Sequence, residues 1–423
     1  MKIAIVSKSC YSFSRGTISV PLTLAGHTIA FVRQLIPYLL ERGYQISLLV
    51  PVEAGIGDSV YSQTDDQIPD GIIVIPFSDY FFPKVPISCS FITFFLALTE
   101  AKEKMGRIDW VFSVYSFPLL ILIDLYKPDF DYQIAAFLRG GDGYKFLDPD
   151  LMKKLYGSEL DMRSVASLYK RALNRANYVF TVSEWLRSRV NHFGVRVSEV
   201  IPAPALVNPL RKTGEPIRKE SVIELMQKQC KWGSPSPFKN WLLSASRLSQ
   251  DKRIDLAIKA FEAWHRTKWQ LIIAGTGPSE HRILELIKQS KVAHNIVLLF
   301  APPDSMAALF AASNAYIHTA IPSENFIDSR PSSITSAVFY GKPIVLPLSQ
   351  DGGAIESVSP INLEHFGFHI SSDEELLLDS VVNALRKLED ETLLRDVGAA
   401  NQHFAIRFHP EEIFSGITKF LSQ

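Results

Sequence analysis

The stretch from Trp241 to Val345 constrains this chain more than any other. Three short apolar runs, 241–246, 269–274 and 315–320, read as strands buried on both faces. Each ends in a loop rich in Gly, Ser and charge, and each loop leads into a helical pattern. Strand, loop and helix in alternation build a parallel sheet, because parallel strands need a crossover connection. Ligands of such sheets sit beyond the carboxyl ends of the strands, facing helix N-termini. The three loops supply two cations (Arg247, Lys252), a Gly-Thr-Gly-Pro turn (Gly275, Gly277), one acid (Glu324) and a hydroxyl-rich helix start (Ser332, Ser333). Cations, bare amides and a carboxylate on one rim suit a diphosphate joined to a polyhydroxy group.

The same alternation runs through the rest of the chain. Residues 2–7 and 45–50 are nearly continuous apolar runs, and between them Ile29, Val32, Leu35, Ile36, Leu39 and Leu40 recur at helical spacing before Gly43. The loop from Lys8 to Gly26 is unusually long for such a unit. Strands follow near 72–76, 109–114, 133–138, 177–182 and 199–202, with helical patterns at about 93–105 and 163–175. From Pro202 the proline-rich PAPALVNPLRKTGEP reads as a crossing between domains. A polar helix near 218–230 precedes the second series, whose first helix buries Ile254, Ala257, Ile258, Phe261 and Trp264. Further strands fit 295–300, 343–348 and 366–370, and helices fit about 373–389 and 409–422. The expected fold is α/β: two Rossmann-like, doubly wound parallel-sheet domains facing a cleft. Their limits are 1–205 and 206–408, with the last helix, about 409–423, placed to pack back on the first. A chain of 423 residues has the length for two such cores.

Composition removes several functions. Lys+Arg and Asp+Glu are both 44, and no basic block occurs, so nucleic acid is not an expected partner. Cys10, Cys89 and Cys230 are odd in number and far apart, and they fit no metal spacing. Reduced structural thiols and a cytoplasmic location follow. MKIAIVS enters a strand directly, leaving no room for a signal peptide. The longest apolar run, Pro86 to Leu98, falls short of the roughly twenty residues that span a bilayer. Residues 80–98 (YFFPKVP to FITFFLAL) suit either core packing or an apolar lip for peripheral contact at the inner membrane face.

With Arg247, Lys252, Gly275, Glu324 and Gly341 placed in order, the chain resembles a retaining glycosyltransferase of the two-Rossmann (GT-B) kind, family 4, over nearly its whole length. ASRLSQDK is similar to that family's Arg–loop–Lys signature, AGTGP to its Gly-x-Gly-Pro turn and YGKPIV to its Gly-x-Pro ending. RANYVFTVSEWLRSRV (175–190) resembles its strand–Ser–helix segment, and EVIPAP stands where the family has a Pro-Asn-Gly turn. The resemblance implies that Arg247 and Lys252 grip the diphosphate of a nucleotide sugar and that Glu324 lies against the donor sugar, with Asn325 and Phe326 beside it. Gly275, Gly277 and the backbone at Phe300 and Ala301 would border the nucleotide. The family's second acid is replaced: counting back from Gly341 puts Ser336 at that position, where the family binds the ribose. A gapless alignment would move the first acid to Asp328. Glu324 is preferred because Asn325 and Phe326 also fit and Pro331 makes a good first helical residue, leaving Ile327 to Arg330 as an insertion.

Each candidate has a plainer alternative. Arg247 and Lys252 could form a solvated surface pair, the glycines a simple turn, and Ser332 and Ser333 ordinary N-caps. On the acceptor or sugar side stand Gly26 and His27, at the start of the first helix, and Arg139 and Asp142 in FLRGGDGYKF. A polar cap and a structural Arg–Asp pair are the corresponding alternatives. No metal and no cofactor are implied: there is no Asp-x-Asp motif at the site, and two cations can carry the phosphate charge. The expected activity is transfer of a sugar from a nucleotide diphosphate sugar to a hydroxyl acceptor, with retention. Two rivals stand beside it. A degenerate transferase would serve as a non-catalytic binding or partner subunit, and an enzyme of the same fold would be a nucleotide-sugar epimerase.

Overall fold

β1 (Lys2–Val6) opens a sheet whose other strands are β4 (Gln45–Val52), β5 (Ile72–Ser78), β6 (Trp110–Ser113), β7 (Gln133–Leu138), β8 (Tyr178–Thr181) and β9 (Glu199–Val200). A small antiparallel hairpin of β2 (Ser12–Ser14) and β3 (Thr17–Ser19) lies in the long first connection, where sequence predicted only a loop. The structure is a computed structural model that describes residues 1–7, 12–14, 17–19, 27–52, 72–78, 87–114, 117, 119–140, 142–156, 162–206, 218–301, 303–322, 327 and 330–422. The sheet order is β5-β4-β1-β6-β7-β8-β9, with every pairing parallel. Winding therefore reverses between β1 and β6, the mark of a doubly wound sheet. The helices are α1 (His27–Glu41), α2 (Ile87–Met105), α3 (Leu119–Phe130), α4 (Asp142–Lys145), α5 (Pro149–Tyr156), α6 (Met162–Arg175) and α7 (Glu184–His192). Ser183 caps α7 by accepting from the Leu186 amide at 3.1 Å.

The second series has strands β10 (Cys230–Trp232), β11 (Asn240–Ala245), β12 (Trp269–Ala274), β13 (Ile296–Leu299), β14 (Ala315–Ile317), β15 (Ile344–Pro347) and β16 (Gly367–Phe368). Their order is β10-β13-β12-β11-β14-β15-β16, and the reversal falls between β11 and β14. Every pairing is parallel except β10 with β13. That edge strand replaces the end of the helix predicted over 218–230. The helix, α8 (Lys219–Met226), stops early, and the Trp232 indole donates to the Ala293 carbonyl at 3.2 Å. The remaining helices are α9 (Ile254–Trp264), α10 (Glu280–Gln289), α11 (Pro303–Ala312), α12 (Ser332–Phe339), α13 (Pro360–Phe366), α14 (Glu374–Arg386), α15 (Glu391–Phe404) and α16 (Pro410–Leu421).

Alternate residues of β11 and β12 feed two cores. Leu242, Leu271 and Ile273 join one with Phe261 and Trp264, while Trp241, Leu243 and Ile272 join the other with Phe310 and Ala337. Burying such side chains contributes roughly 1.5–3 kcal/mol each, which is why these strands have no polar face. Met1–Pro202 with Phe414–Gln423 makes one compact unit and Ala203–Ile413 the other. Within the first unit Phe414 packs against Phe31 and Tyr38, and Phe420 packs against Tyr178 and Phe180, with centroids 5.1–5.6 Å apart.

Candidate functional site

β11 stops at Ala245, and the chain then turns through a single 3-10 turn, Gln250–Lys252, into α9. Arg247 stands on this loop with its side chain 65% exposed. Its guanidinium reaches Asp251 at 3.6 Å and donates to the Ser249 hydroxyl at 3.3 Å. An exposed pair this loose is worth at most about 1 kcal/mol, so an incoming anion displaces it at little cost. The Lys252 carbonyl accepts from the Thr319 hydroxyl at 3.0 Å, tying the cationic loop to the segment after β14. Arg253 takes the left-handed conformation, φ 49°, to start α9. Its side chain is held by Asp255 at 3.3 Å and Glu374 at 2.8 Å, which offsets the strain.

The glycine turn after β12 is clamped to the same loop. Leu248 N–H donates to the Thr276 carbonyl at 2.9 Å, Ser279 N–H to the Leu248 carbonyl at 2.9 Å, and Gly275 N–H to Leu299 at 3.0 Å. A Cβ on Gly275 would overlap the Ser246 carbonyl oxygen, and one on Gly277 the backbone of Leu248. Both glycines therefore let two loops approach, and that packing alone accounts for them. Thr276 donates to Glu280 in the first turn of α10 at 3.0 Å. Ala301 is buried, and Phe300 N–H donates to the Gln229 carbonyl at 3.1 Å. The carboxyl ends of β13, β12, β11 and β14, neighbours in that order, thus carry Phe300, the glycine turn, Arg247 with Lys252, and Thr319.

Glu324, Asn325 and Phe326 lie outside the described residues, as does Asp328. Arg330, two residues before the start of α12, is buried. Its guanidinium donates to the Ser357 hydroxyl at 3.0 Å and the Glu356 carbonyl at 2.9 Å, and the Glu356 carboxylate lies at 3.6 Å. Arg407 donates to the same carbonyl at 2.7 Å; burial pushes its guanidinium down from its ordinary value, opposed by Glu356. Pro331 sits at the N-cap of α12 rather than first in the helix, and no side chain caps that end. Ser332 and Ser333 occupy the first turn, half-buried. Ser336 is fully buried; its hydroxyl donates to the Ser332 carbonyl at 2.8 Å and accepts from the Leu206 amide at 3.1 Å. Tyr340, one turn on, donates to the Leu206 carbonyl at 3.1 Å.

In the first unit Gly26 lies outside the described residues, and for His27 and Asp142 the backbone alone is described. His27 begins α1 and Asp142 begins α4. Arg139 follows β7, is buried, and lays its guanidinium 4.0 Å from the Phe31 ring centroid. Among the described residues no cluster of His, Cys, Asp and Glu could hold a metal ion. Sequence reasoning passed over Thr319, Asp251 and Arg330. The signal for Arg330 was an arginine directly before a Pro-Ser-Ser helix start, inside a stretch that read as an insertion.

Residues 232–396 match the family model of glycosyl transferases group 1. The match lies wholly inside the second unit and includes every donor-side candidate. No curated protein matches the sequence. Among solved structures, HepE of Anabaena in complex with UDP and glucose superposes with a TM-score of 0.65 at 18% identity, over 100% of this chain and 99% of its own. A glycosyltransferase from Rickettsia africae gives 0.66 at 16% identity, covering 100% and 98%. WaaG, a glycosyltransferase involved in lipopolysaccharide biosynthesis, gives 0.61 at 13%, covering 98% and 99%. The fold is that of the GT-B glycosyltransferases, two Rossmann-like parallel-sheet units.

Proposed function

We propose that the chain is a glycosyltransferase that moves a sugar from a nucleotide diphosphate sugar to a hydroxyl acceptor with retention at the anomeric carbon. The observation that carries this reading is the exposed Arg247 guanidinium on a loop fastened to its neighbours through Leu248 and Lys252. The glycosidic carbon–oxygen bond breaks with its electron pair passing to the diphosphate. Fixed cations stabilise that growing charge most in the transition state, so they lower the barrier rather than merely binding substrate. The acceptor oxygen bonds to the same face as the leaving group departs, and its proton passes to the departing phosphate, with no covalent protein intermediate. Glu324 lies against the donor sugar with Asn325 and Phe326, and the uncapped amides of Ser332 and Ser333 meet the diphosphate. Gly275, Gly277, Phe300 and Ala301 border the nucleotide. Gly26, His27, Arg139 and Asp142 serve the acceptor side. Arg247 and Lys252 take the place of a metal.

HepE was crystallised with UDP-glucose, which makes UDP-sugars the first donors to test. The decisive experiment incubates the protein with a panel of nucleotide sugars and hydroxyl acceptors, with and without EDTA, and measures nucleotide release and product anomer. Release that survives EDTA and gives a retained anomer is expected. No release with any pair, together with no heat of nucleotide binding, overturns the reading.

A second reading, a non-catalytic binding subunit, is favoured by one observation. Ser336 is sealed from solvent with its hydroxyl already engaged. Nucleotide affinity without turnover would select it, and donor conversion without acceptor would select an epimerase. The protein acts in the cytoplasm, and the apolar segment 80–98 suits peripheral contact at the inner membrane face.

A further inference from the structure

The second unit holds a polar group that the proposed chemistry does not use. Gln229 ends the 3-10 turn that follows α8 and is half-buried. Its side-chain Oε1 is sealed from water and has no hydrogen-bond partner among the described residues. Folded proteins leave few buried acceptors in that state. Nearby groups satisfy one another instead. Lys231, two residues on, reaches Glu280 at 2.5 Å, and Thr276 of the glycine turn donates to the other oxygen of that carboxylate at 3.0 Å.

The sheet sets where Gln229 stands. β10 runs antiparallel to β13 with Cys230 opposite Leu299, and one step further out the Phe300 amide donates to the Gln229 carbonyl at 3.1 Å. Gln229 and Phe300 are therefore side by side at the carboxyl end of β13. Phe300 is half-buried and takes part in neither core of this unit. In the order β11-β12-β13-β10 neighbouring strands are about 4.8 Å apart, which puts this pair roughly 10–14 Å along the rim from β11. On the transfer reading, the diphosphate lies at Arg247 and Lys252 beyond β11, and the sugar lies towards Glu324, after β14. The nucleoside then extends the opposite way, over the glycine turn, and that span matches the reach from a diphosphate to the far edge of its base.

We propose that Gln229 and Phe300 seat the nucleobase. Phe300 offers a ring face, and the Gln229 amide reads the base edge, Oε1 accepting from a ring N–H while the amide nitrogen donates to the carbonyl beside it. Uracil presents that pair as N3–H and O4. Cytosine has a bare N3 and an amino group in their place, which is the opposite polarity. The amide therefore selects a uridine donor over a cytidine donor. Stacking tolerates every base, so Phe300 adds affinity and Gln229 adds choice. The match to group 1 glycosyl transferases begins at residue 232, so it does not assign Gln229. The proposal rests on the transfer reading for the place of the diphosphate, and it adds the residue that chooses the base.

Calorimetric titration of the whole chain with UDP and CDP, which differ only at that edge, tests it. UDP should bind about tenfold or more tightly than CDP, the scale of leaving a buried acceptor without its donor. Gln229→Leu should level the two affinities. Phe300→Ala should weaken both about tenfold and keep their ratio. Each ratio is read on one protein, so partial loss of folded material in a variant cancels from it. Equal binding by the parent, or a preference that Gln229→Leu leaves intact, overturns the proposal and leaves the transfer reading standing. So does tighter binding of CDP, or binding of ADP or GDP alone. Binding of no nucleotide at all counts against the transfer reading, and the proposal falls with it.

Discussion

The Ser336 hydroxyl accepts a hydrogen bond from the Leu206 amide at 3.1 Å while donating to the Ser332 carbonyl at 2.8 Å. With Tyr340, the residue that follows α12, on the Leu206 carbonyl, both backbone groups of Leu206 are satisfied from one short stretch at least 130 positions away. Ser336→Ala leaves the Leu206 amide without this partner and should cost about 1–3 kcal/mol in urea unfolding. Ser336→Glu must bury a carboxylate at a position with no exposure, so it should cost more than the alanine and create no turnover. A glutamate variant as stable as the parent, with tighter nucleotide binding by calorimetry, would show that position 336 faces the ligand after all.

Two glycines should respond in opposite directions to the same change. A Cβ on Gly277 overlaps the Leu248 backbone, so Gly277→Ala should cost about 1–3 kcal/mol. It should also weaken nucleotide binding, because Leu248 adjoins Arg247. Gly416 sits inside α16 with nothing within 4 Å of a built Cβ, so Gly416→Ala should stabilise by about 0.5–1 kcal/mol. Paired thermal melts decide the matter, and equal shifts of one sign would refute the packing account.

The two doubly wound sheets were legible because their signal is local. Runs such as Trp269–Ala274 are buried on both faces and therefore apolar apart from Gln270, whose amide is satisfied by Ser234 and Ser236, and the motif residues sit at their carboxyl ends. What escaped was set by tertiary partners. α3 is apolar nearly all round, so it shows little helical periodicity and was not predicted. α15 contains Gly398, which reads as a helix breaker. The glycine is needed there because a Cβ would fall 2.7 Å from the carbonyl of Gly341, two residues beyond α12. The site divided the same way. Arg247 and the glycine turn announce themselves by spacing, whereas Arg330 matters through Ser357 and Glu356, which nothing in its own neighbourhood foretells.

Arg247 is exposed, so its loss should be felt in chemistry and not in folding. Arg247→Met should leave the unfolding midpoint within about 0.5 kcal/mol of the parent. On the transfer reading it should reduce kcat/KM roughly 100- to 1,000-fold, the scale of losing one charge-stabilising group in a transition state. Steady-state nucleotide release measures it. A variant that turns over normally would remove Arg247 from the mechanism.

Arg330 should behave in the reverse manner. It is buried with its guanidinium spread over one hydroxyl, one carbonyl and one carboxylate. Arg330→Met removes these contacts and should cost about 3 kcal/mol, a typical figure for breaking a buried charged contact. Arg330→Lys keeps the charge but not the planar fork, so it should recover only part of the loss. Full recovery by lysine in urea unfolding would mean that charge alone matters at this position.

Cys230 is a free thiol whose sulfur lies 3.6 Å from the Met226 carbonyl, and burial pushes it above the ordinary thiol value. Only the ionised form reacts, so alkylation of the Cys230 peptide, followed by mass spectrometry, should need higher pH than a free thiol. Stability should follow the same shift. Below the ordinary value both folded and unfolded chains hold the proton, and Cys230 adds no pH dependence. Above it the unfolded chain ionises first, binding fewer protons than the folded one, so stability falls as pH rises until the folded thiol also ionises. Relative to Cys230→Ser, the parent should therefore track the variant up to about pH 8 and drop away above it. Parallel curves across that range, or alkylation at the rate of an exposed thiol, would mean that the sulfur is open to water.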